Sequence, residues 1–180
     1  MRTARARRPA PTAQEPDSAD AAYAEAVKRL GRQPQSRAML RDRLRRVGYS
    51  EPAVAAALDL AQQHGYLDDA EYAASIVRRR SATRGHGLIA QELRAKGIDD
   101  GEAESALAQV EPEAELDRAL AMGRKMLASK RLADGNALLA FLAPRLARRG
   151  FRHGMVYRVC RRLAAEFETA RLFDSHLEQN

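Results

Sequence analysis

The sequence predicts an all-α fold of three tandem three-helix repeat modules that form an elongated, curved array. Two observations predict it. One pattern of apolar residues and glycine occurs three times along the 180-residue chain, each time after a further helical stretch. The sequence contains no alternating apolar and polar run bounded by turn residues, which is the pattern that would indicate a strand. A module of about 50 residues is only marginally stable alone, so we expect the modules to pack on one another.

The repeated pattern describes a helix that ends at glycine. An aliphatic residue is followed by leucine after four positions, by glycine after four more, and then by a bulky apolar residue. The three sets are Leu40, Leu44, Gly48 and Tyr49; Ile89, Leu93, Gly97 and Ile98; and Leu142, Leu146, Gly150 and Phe151. The aliphatic pair forms a buried stripe, and glycine most easily adopts the left-handed backbone that ends a helix. We therefore expect Leu44, Leu93 and Leu146 in the core.

These repeats divide the chain into a tail and three modules. One further helix is predicted before each repeat, over roughly 20–30, 68–82 and 112–129. The predicted segments are a disordered basic tail over residues 1–19 and modules over 20–66, 67–110 and 111–180.

The third helix of each module follows its glycine. Caps are expected at Ser50 in the first module and at Asp99 or Asp100 in the second. The apolar stripe is clearest in the third module, at Val156, Cys160, Leu163 and Phe167. Cys160 is the only cysteine, so a disulfide framework is excluded, and its place on the stripe predicts a buried, unreactive side chain.

The segment HGYLDDAEYAASIVRRR, residues 64–80, contains acidic residues that suit either a helix cap or a catalytic cluster. Asp68 precedes a helical pattern and Glu71 follows three residues later, which is the spacing of a capping box. Asp69 also opposes the positive end of the helix dipole. A metal site needs further ligands, and the four histidines are scattered. We interpret the acids as a cap and predict no catalytic, cofactor or metal site, and therefore no enzyme.

The same segment resembles the central signature of the RecX family. Gly-Tyr-Leu-Asp-Asp-x-x-Tyr-Ala occupies residues 65–73, and the similarity continues through Arg80, Gly87, Ile89, Glu92, Leu93, Lys96, Gly97 and Ile98. The three-module layout agrees over about 20–167, whereas residues 35–40 lack the Glu-Leu that family members often carry there.

The resemblance implies a regulatory protein of the RecA recombinase, with roles in DNA repair, recombination and the SOS response. It implies that the helical array lies in the groove of the RecA–DNA filament. There it would inhibit filament growth, strand exchange and coprotease activity by occlusion, without chemistry of its own and without a cofactor.

Positive charge is concentrated in particular helices. Lys and Arg number 31 against 24 Asp and Glu, which gives a net charge of +7 and favours a polyanionic partner or an assembly that carries one. The residues predicted to contact the RecA filament or DNA are Arg41, Arg43, Arg45, Arg46, Arg78, Arg79, Arg80, Arg84, Arg94, Lys96, Arg145, Arg148, Arg149 and Arg152. A merely solvated basic surface is the competing interpretation. If Arg78, Arg79 and Arg80 are contacts, their joint replacement by alanine weakens inhibition and leaves the melting temperature nearly unchanged.

An alternative function is DNA binding, because a three-helix unit with a glycine turn resembles helix-turn-helix geometry. Aromatic side chains are few and fall mostly in helical stripes, so we expect at most weak, non-specific DNA binding. No apolar run is long enough to cross a bilayer, and the N-terminus has no apolar export segment. We expect a cytoplasmic monomer.

Overall fold

The computed structural model describes residues 13–177, with side chains described up to residue 171. This part contains nine α-helices and no strand, which confirms the predicted all-α class. The helices are α1 (Ala19–Leu30), α2 (Arg37–Val47), α3 (Glu51–Gln63), α4 (Asp69–Arg80), α5 (His86–Ala95), α6 (Asp100–Ala108), α7 (Pro112–Leu127), α8 (Gly135–Arg148) and α9 (His153–Leu177). Residues 1–12 of the predicted tail and residues 178–180 of the third predicted module lie outside the described residues. The module boundaries stay a prediction.

The predicted glycines end their helices with a left-handed backbone. The φ angles are +108° at Gly48, +74° at Gly97 and +85° at Gly150. After α2 the N–H of Tyr49 donates to the carbonyl of Leu44 at 3.3 Å, and after α8 Phe151 donates to Leu146 at 3.3 Å. These bonds close the last turn in the Schellman pattern and bring the following apolar residue back onto the helix.

The described chain forms two compact units. The first comprises residues 13–73 with Ala95–Glu102, and the second comprises Ala74–Arg94 with the chain from Ala103 onwards. The core of the first unit is Ala26, Leu40, Leu44, Val54, Leu58, Ala61 and Leu67. The main core of the second is Leu116, Ala119, Leu120, Leu138, Leu142, Leu146, Phe151, Val156, Val159, Cys160 and Leu163.

The leucines predicted as core are fully buried. Leu44, Leu93 and Leu146 each have 0% of their surface exposed. Cys160 is buried as predicted, and burial raises the pKa of its thiol. A thiol in apolar surroundings is a poor nucleophile, so this residue acts as packing.

Candidate functional site: a basic helix junction

Two of the acids of residues 64–80, Asp68 and Asp69, cap helices, and each caps a different one. The Asp68 carboxylate accepts from the N–H of Glu71 at 2.9 Å, which confirms the predicted cap of α4. Asp69 instead accepts from the N–H of Arg37, the first residue of α2, at 2.7 Å. Burial raises the pKa of Asp69, opposed by the hydrogen bond and charge of Arg37. Sequence reasoning missed this second role because the two residues are 32 positions apart.

The N-terminus of α2 also meets the segment that follows α5. Ser36 caps α2 by accepting from the N–H of Met39 at 3.2 Å, and its hydroxyl donates to the carbonyl of Lys96. A Cβ built on Gly97 would overlap the methyl group of Ala38. Glycine is therefore required at position 97 for two reasons, the positive φ of its backbone and the close approach of Ala38.

The N-terminus of α5 repeats the arrangement within the second unit. The Glu115 carboxylate accepts from the N–H of His86 at 3.2 Å. Gly85 donates to the carbonyl of Arg149 at 2.8 Å, and Gly87 donates to the carbonyl of Gly150 at 2.9 Å. The start of α5 thus sits on the glycine turn that ends α8, as the start of α2 sits on the turn that follows α5.

This α5–α8 contact gathers arginines, which we call the junction arginines: Arg145, Arg148, Arg149 and Arg152. The guanidinium of Arg145 lies 3.7 Å from the centre of the Phe141 ring and donates to the Phe141 carbonyl at 2.6 Å. Arg149 donates to the carbonyl of Thr83 at 3.5 Å. Arg148 and Arg152 are exposed, and within the described residues neither has an ion-pair partner.

The α8–α9 segment contributes only positive charge to this junction. Residues 135–165 contain no aspartate or glutamate. Arg145, Arg148 and Arg149 line a shallow cavity of about 320 Å³ together with Met126 and Phe141. The surface therefore presents guanidinium donors beside apolar side chains, which suits carboxylate or phosphate oxygens of a partner.

Among the predicted contacts near the end of α4, some are paired with an acid and one is exposed without an ion pair. Arg80 pairs with Glu92 at 3.0 Å and Arg84 pairs with the same carboxylate at 2.7 Å. The Glu92 side chain is 15% exposed, so the three groups form a half-buried internal cluster. Arg79 is exposed, and the described residues provide no ion pair for it. We therefore no longer expect the joint replacement of Arg78, Arg79 and Arg80 to leave the melting temperature unchanged.

The predicted contacts in the first unit have acidic neighbours. Arg45 pairs with Glu51 at 3.0 Å, and Arg41 lies 3.9 Å from Asp42. Arg41 also lines a cavity of about 740 Å³ whose acidic side chains are Asp68, Asp69, Asp99 and Glu102. This cavity is a poorer site for a polyanion than the junction arginines.

The remaining predicted contacts are dispersed. Arg46, Arg78 and Arg94 are exposed, whereas Arg43 and Lys96 are half-buried. Sequence spacing could not rank these candidates, because the availability of each side chain depends on which acid the fold places beside it.

Neither a metal cluster nor a membrane span is found in the described part of the chain. Among residues 13–177, no group of three His, Cys, Asp or Glu side chains is arranged to hold a metal ion. No helix in that part combines the length and the apolar character needed to cross a bilayer.

Comparison with known proteins assigns the repeated helices. The family profile "RecX, first three-helix domain" matches residues 22–59, and "RecX, second three-helix domain" matches residues 68–107. "Regulatory protein RecX" of Mycobacterium sp. (strain KMS) is 38% identical over 165 residues, covering 88% of this chain and 90% of the relative. The protein of the same name in Mycobacterium avium (strain 104) is 34% identical over 168 residues, covering 91% and 97%.

Solved structures agree on the fold. The crystal structure of RecX from Lactobacillus salivarius superimposes with a TM-score of 0.76 at 22% identity, covering 81% of this chain and 96% of that one. A second crystal structure, of regulatory protein RecX, has a TM-score of 0.70 at 26% identity, with coverage of 78% and 72%. Fold and matched domains together define a regulatory protein built from three-helix domains. The chain belongs to the RecX family.

Proposed function

We propose that this protein is a non-enzymatic regulator of the RecA recombinase that binds the RecA–DNA filament through exposed, unpaired arginines, chiefly Arg148 and Arg152 of the junction. Membership of a family of regulatory proteins is the observation that carries the proposal. The basic junction supports it, because its exposed Arg148 and Arg152 have no ion pair among the described residues. A filament that works on DNA is found in the cytoplasm, and we place this protein there.

The mechanism we propose is occlusion by a multivalent ligand. Binding along the filament groove blocks access of a second DNA or a protein substrate and hinders filament growth. Several linked modules that each contact a subunit gain avidity from one another, so inhibition needs fewer copies than there are RecA subunits.

The arginines without an internal partner are the proposed contacts. Arg148, Arg152 and Arg79 are exposed and have no ion pair among the described residues, whereas Arg80 and Arg84 are held by Glu92. An arginine that is already paired offers less to a partner, because its internal ion pair must first be broken.

The test measures DNA-dependent ATP hydrolysis and strand exchange by RecA with substoichiometric amounts of this protein. The double variant Arg148→Glu/Arg152→Glu should inhibit at least about tenfold less well, because reversed charges repel the acidic partner surface. Lys28→Glu/Arg32→Glu, an exposed pair outside the predicted contacts, is the control with the same change in net charge.

Two results would reject the proposal at different levels. No inhibition by the wild-type protein at any ratio rejects RecA regulation by inhibition. Full inhibition by the Arg148→Glu/Arg152→Glu variant rejects the junction as the contact surface. Duplex titration without RecA adds a third arm, because sequence-selective nanomolar binding with a steep salt dependence would indicate a DNA-binding protein instead.

A further inference from the structure

An apolar groove lies on the outer surface of α8 and α9. Among the described residues, three large hydrophobic side chains are exposed, and two of them, Leu139 at 38% and Tyr157 at 61%, line this groove. Its volume is about 430 Å³. Single exposed apolar residues are ordinary on protein surfaces, but these two lie beside one groove and form a contiguous apolar surface with it.

Part of the groove belongs to the core of its own unit, because Phe151, Val156 and Cys160 line it and are buried, whereas Leu139 and Tyr157 are exposed. Leu142 and Leu146 of α8 and Val159 and Leu163 of α9 already fill the core of this unit. Leu139, Ala143 and Ala147 form a row beside this core at i, i+4 and i+8 along α8, with Ala143 packed against it. Such a row lies on one face and is about 12 Å long.

The shape of the groove suits a helix. The small side chains of Ala143 and Ala147 let another backbone approach closely, with Leu139 and Tyr157 as exposed apolar contacts at the groove wall. Helices of partner proteins bind such grooves through apolar residues spaced at i, i+3, i+4 and i+7.

The charge around the groove selects the partner. Arg152 and Arg161 adjoin its lining residues in sequence, and both are exposed without an ion pair among the described residues. Arg161 follows Tyr157 by four positions, so both lie on the same face of α9. No acid occurs from residue 135 to residue 165. We call Arg152 and Arg161 the arginine rim; the acid that does reach α9 beside Tyr157, Glu113 of α7, is paired with Arg158 at 2.9 Å.

We propose that this groove binds an acidic amphipathic helix of a partner protein. Its apolar residues cover Leu139 and Tyr157, and its carboxylates pair with the arginine rim. Nucleic acid fits less well, because an apolar groove offers little to phosphates and Tyr157 is the one exposed aromatic ring there. A second copy fits less well too, because symmetric pairing would bring the same arginine rims together.

The inference does not depend on RecA, and its test uses a synthetic probe. The probe is a fluorescein-labelled helical peptide of about 16 residues made of Leu and Glu, with Leu at i, i+3, i+4 and i+7. A twin peptide has Lys in place of every Glu. Fluorescence anisotropy with the full chain should give a dissociation constant in the micromolar range for the Glu peptide and binding at least about tenfold weaker for the Lys peptide.

Variants assign the binding to the groove. Leu139→Ser and Tyr157→Ser should each weaken binding of the Glu peptide at least about tenfold, and Arg161→Gln should weaken it about threefold. Tyr66→Ser, which removes the other exposed large side chain, 55% exposed and remote in sequence, should bind as the wild type does. Circular dichroism spectra matching the wild type show that each variant is folded.

Three outcomes would overturn the inference. They are equal binding of the Lys peptide, wild-type affinity in both Leu139→Ser and Tyr157→Ser, and absence of Glu-peptide binding at about 0.2 mM peptide. Sedimentation equilibrium tests whether a second copy of this chain occupies the groove. A wild-type dimer that Tyr157→Ser converts to a monomer would assign the groove to that second copy.

Discussion

The carboxylate of Asp69 accepts a hydrogen bond of 2.7 Å from the backbone N–H of Arg37. The first residue of α4 therefore caps the first residue of α2. Glu115 does the same for His86 at the start of α5, at 3.2 Å, and Glu168 for Gly135 at the start of α8, at 3.0 Å. In each pair the carboxylate follows the capped residue by 32, 29 and 33 positions, respectively. A carboxylate from a later helix thus caps each of these three helices, from α4 for α2, from α7 for α5 and from α9 for α8.

We expect Asp69→Ala to lower the free energy of unfolding by about 1–2 kcal/mol, because the partly buried N–H of Arg37 loses its acceptor. Asp69→Asn retains an acceptor oxygen and should recover most of this loss. Urea denaturation measures both, with the exposed Asp117→Asn as control. Equal stability of Asp69→Ala and the wild type would show that the cap contributes nothing.

Replacing Gly150 by alanine should lower the free energy of unfolding more than replacing Gly65 does. Both have positive φ, +85° at Gly150 and +73° at Gly65. A Cβ on Gly150 would lie 2.5 Å from the backbone nitrogen of Leu88, whereas a Cβ on Gly65 would have no heavy atom within 4 Å. Gly65→Ala should therefore cost about 1 kcal/mol from backbone strain alone, and Gly150→Ala about 2 kcal/mol more. Thermal and urea unfolding distinguish the two. Similar costs would contradict the close approach of α5 to the turn after α8.

Two adjacent arginines of α4 should behave differently when replaced by alanine. Arg80→Ala leaves the half-buried Glu92 with one fewer cation and should cost about 1 kcal/mol of unfolding free energy. Arg79→Ala removes an exposed side chain and should change stability by less than about 0.5 kcal/mol. Urea denaturation of the pair measures the difference. Equal stability of the two variants would indicate that the Glu92 cluster is not maintained in solution.

Replacing a buried leucine of the repeat by alanine should cost more stability than replacing the exposed Leu139. Leu146→Ala opens a cavity at a fully buried site and should cost about 2–5 kcal/mol, and Leu93→Ala should cost a similar amount. Leu139→Ala removes a side chain that is 38% exposed and should cost less than about 1 kcal/mol. Differential scanning calorimetry gives both values, and a large loss for Leu139→Ala would place that residue in the core.

His86 should make the protein less stable as the pH falls. Burial lowers the pKa of His86 below its ordinary value of 6.5, assisted by Arg152 and Arg118 and opposed by Glu115. In the unfolded chain the imidazole takes up a proton as the pH falls through about 6.5, whereas the folded protein takes it up only at lower pH, so acid favours unfolding.

The variant His86→Gln removes this proton uptake. Between about pH 7.5 and about pH 5.5 it should lose less stability than the wild type in urea titrations. Comparison at the higher pH, where residue 86 is neutral in both proteins, measures the packing lost in the variant. Identical losses in the two proteins would exclude His86 as a source of the pH dependence.

Much of the fold followed from patterns within about fifteen residues. The pattern of Leu146, Gly150 and Phe151 indicated both a buried stripe and the end of a helix, because i to i+4 packing and left-handed glycine are local properties of the chain. The cap at Asp68 was predictable for the same reason. The apolar groove was not, because α8 carries apolar residues around much of its circumference and the sequence does not say which row faces the core.

By itself the sequence determined that the chain is helical, where its helices end, which leucines are buried and which family it resembles. Only the tertiary structure decided that Asp69 caps α2, that Arg80 and Arg84 are held by Glu92, and that Arg148 and Arg152 remain available. Helix periodicity is set by contacts between near neighbours. Whether a charged side chain is paired or exposed depends on which group the fold places beside it. Residues distant in sequence form that contact, so the spacing of neighbouring residues does not predict it.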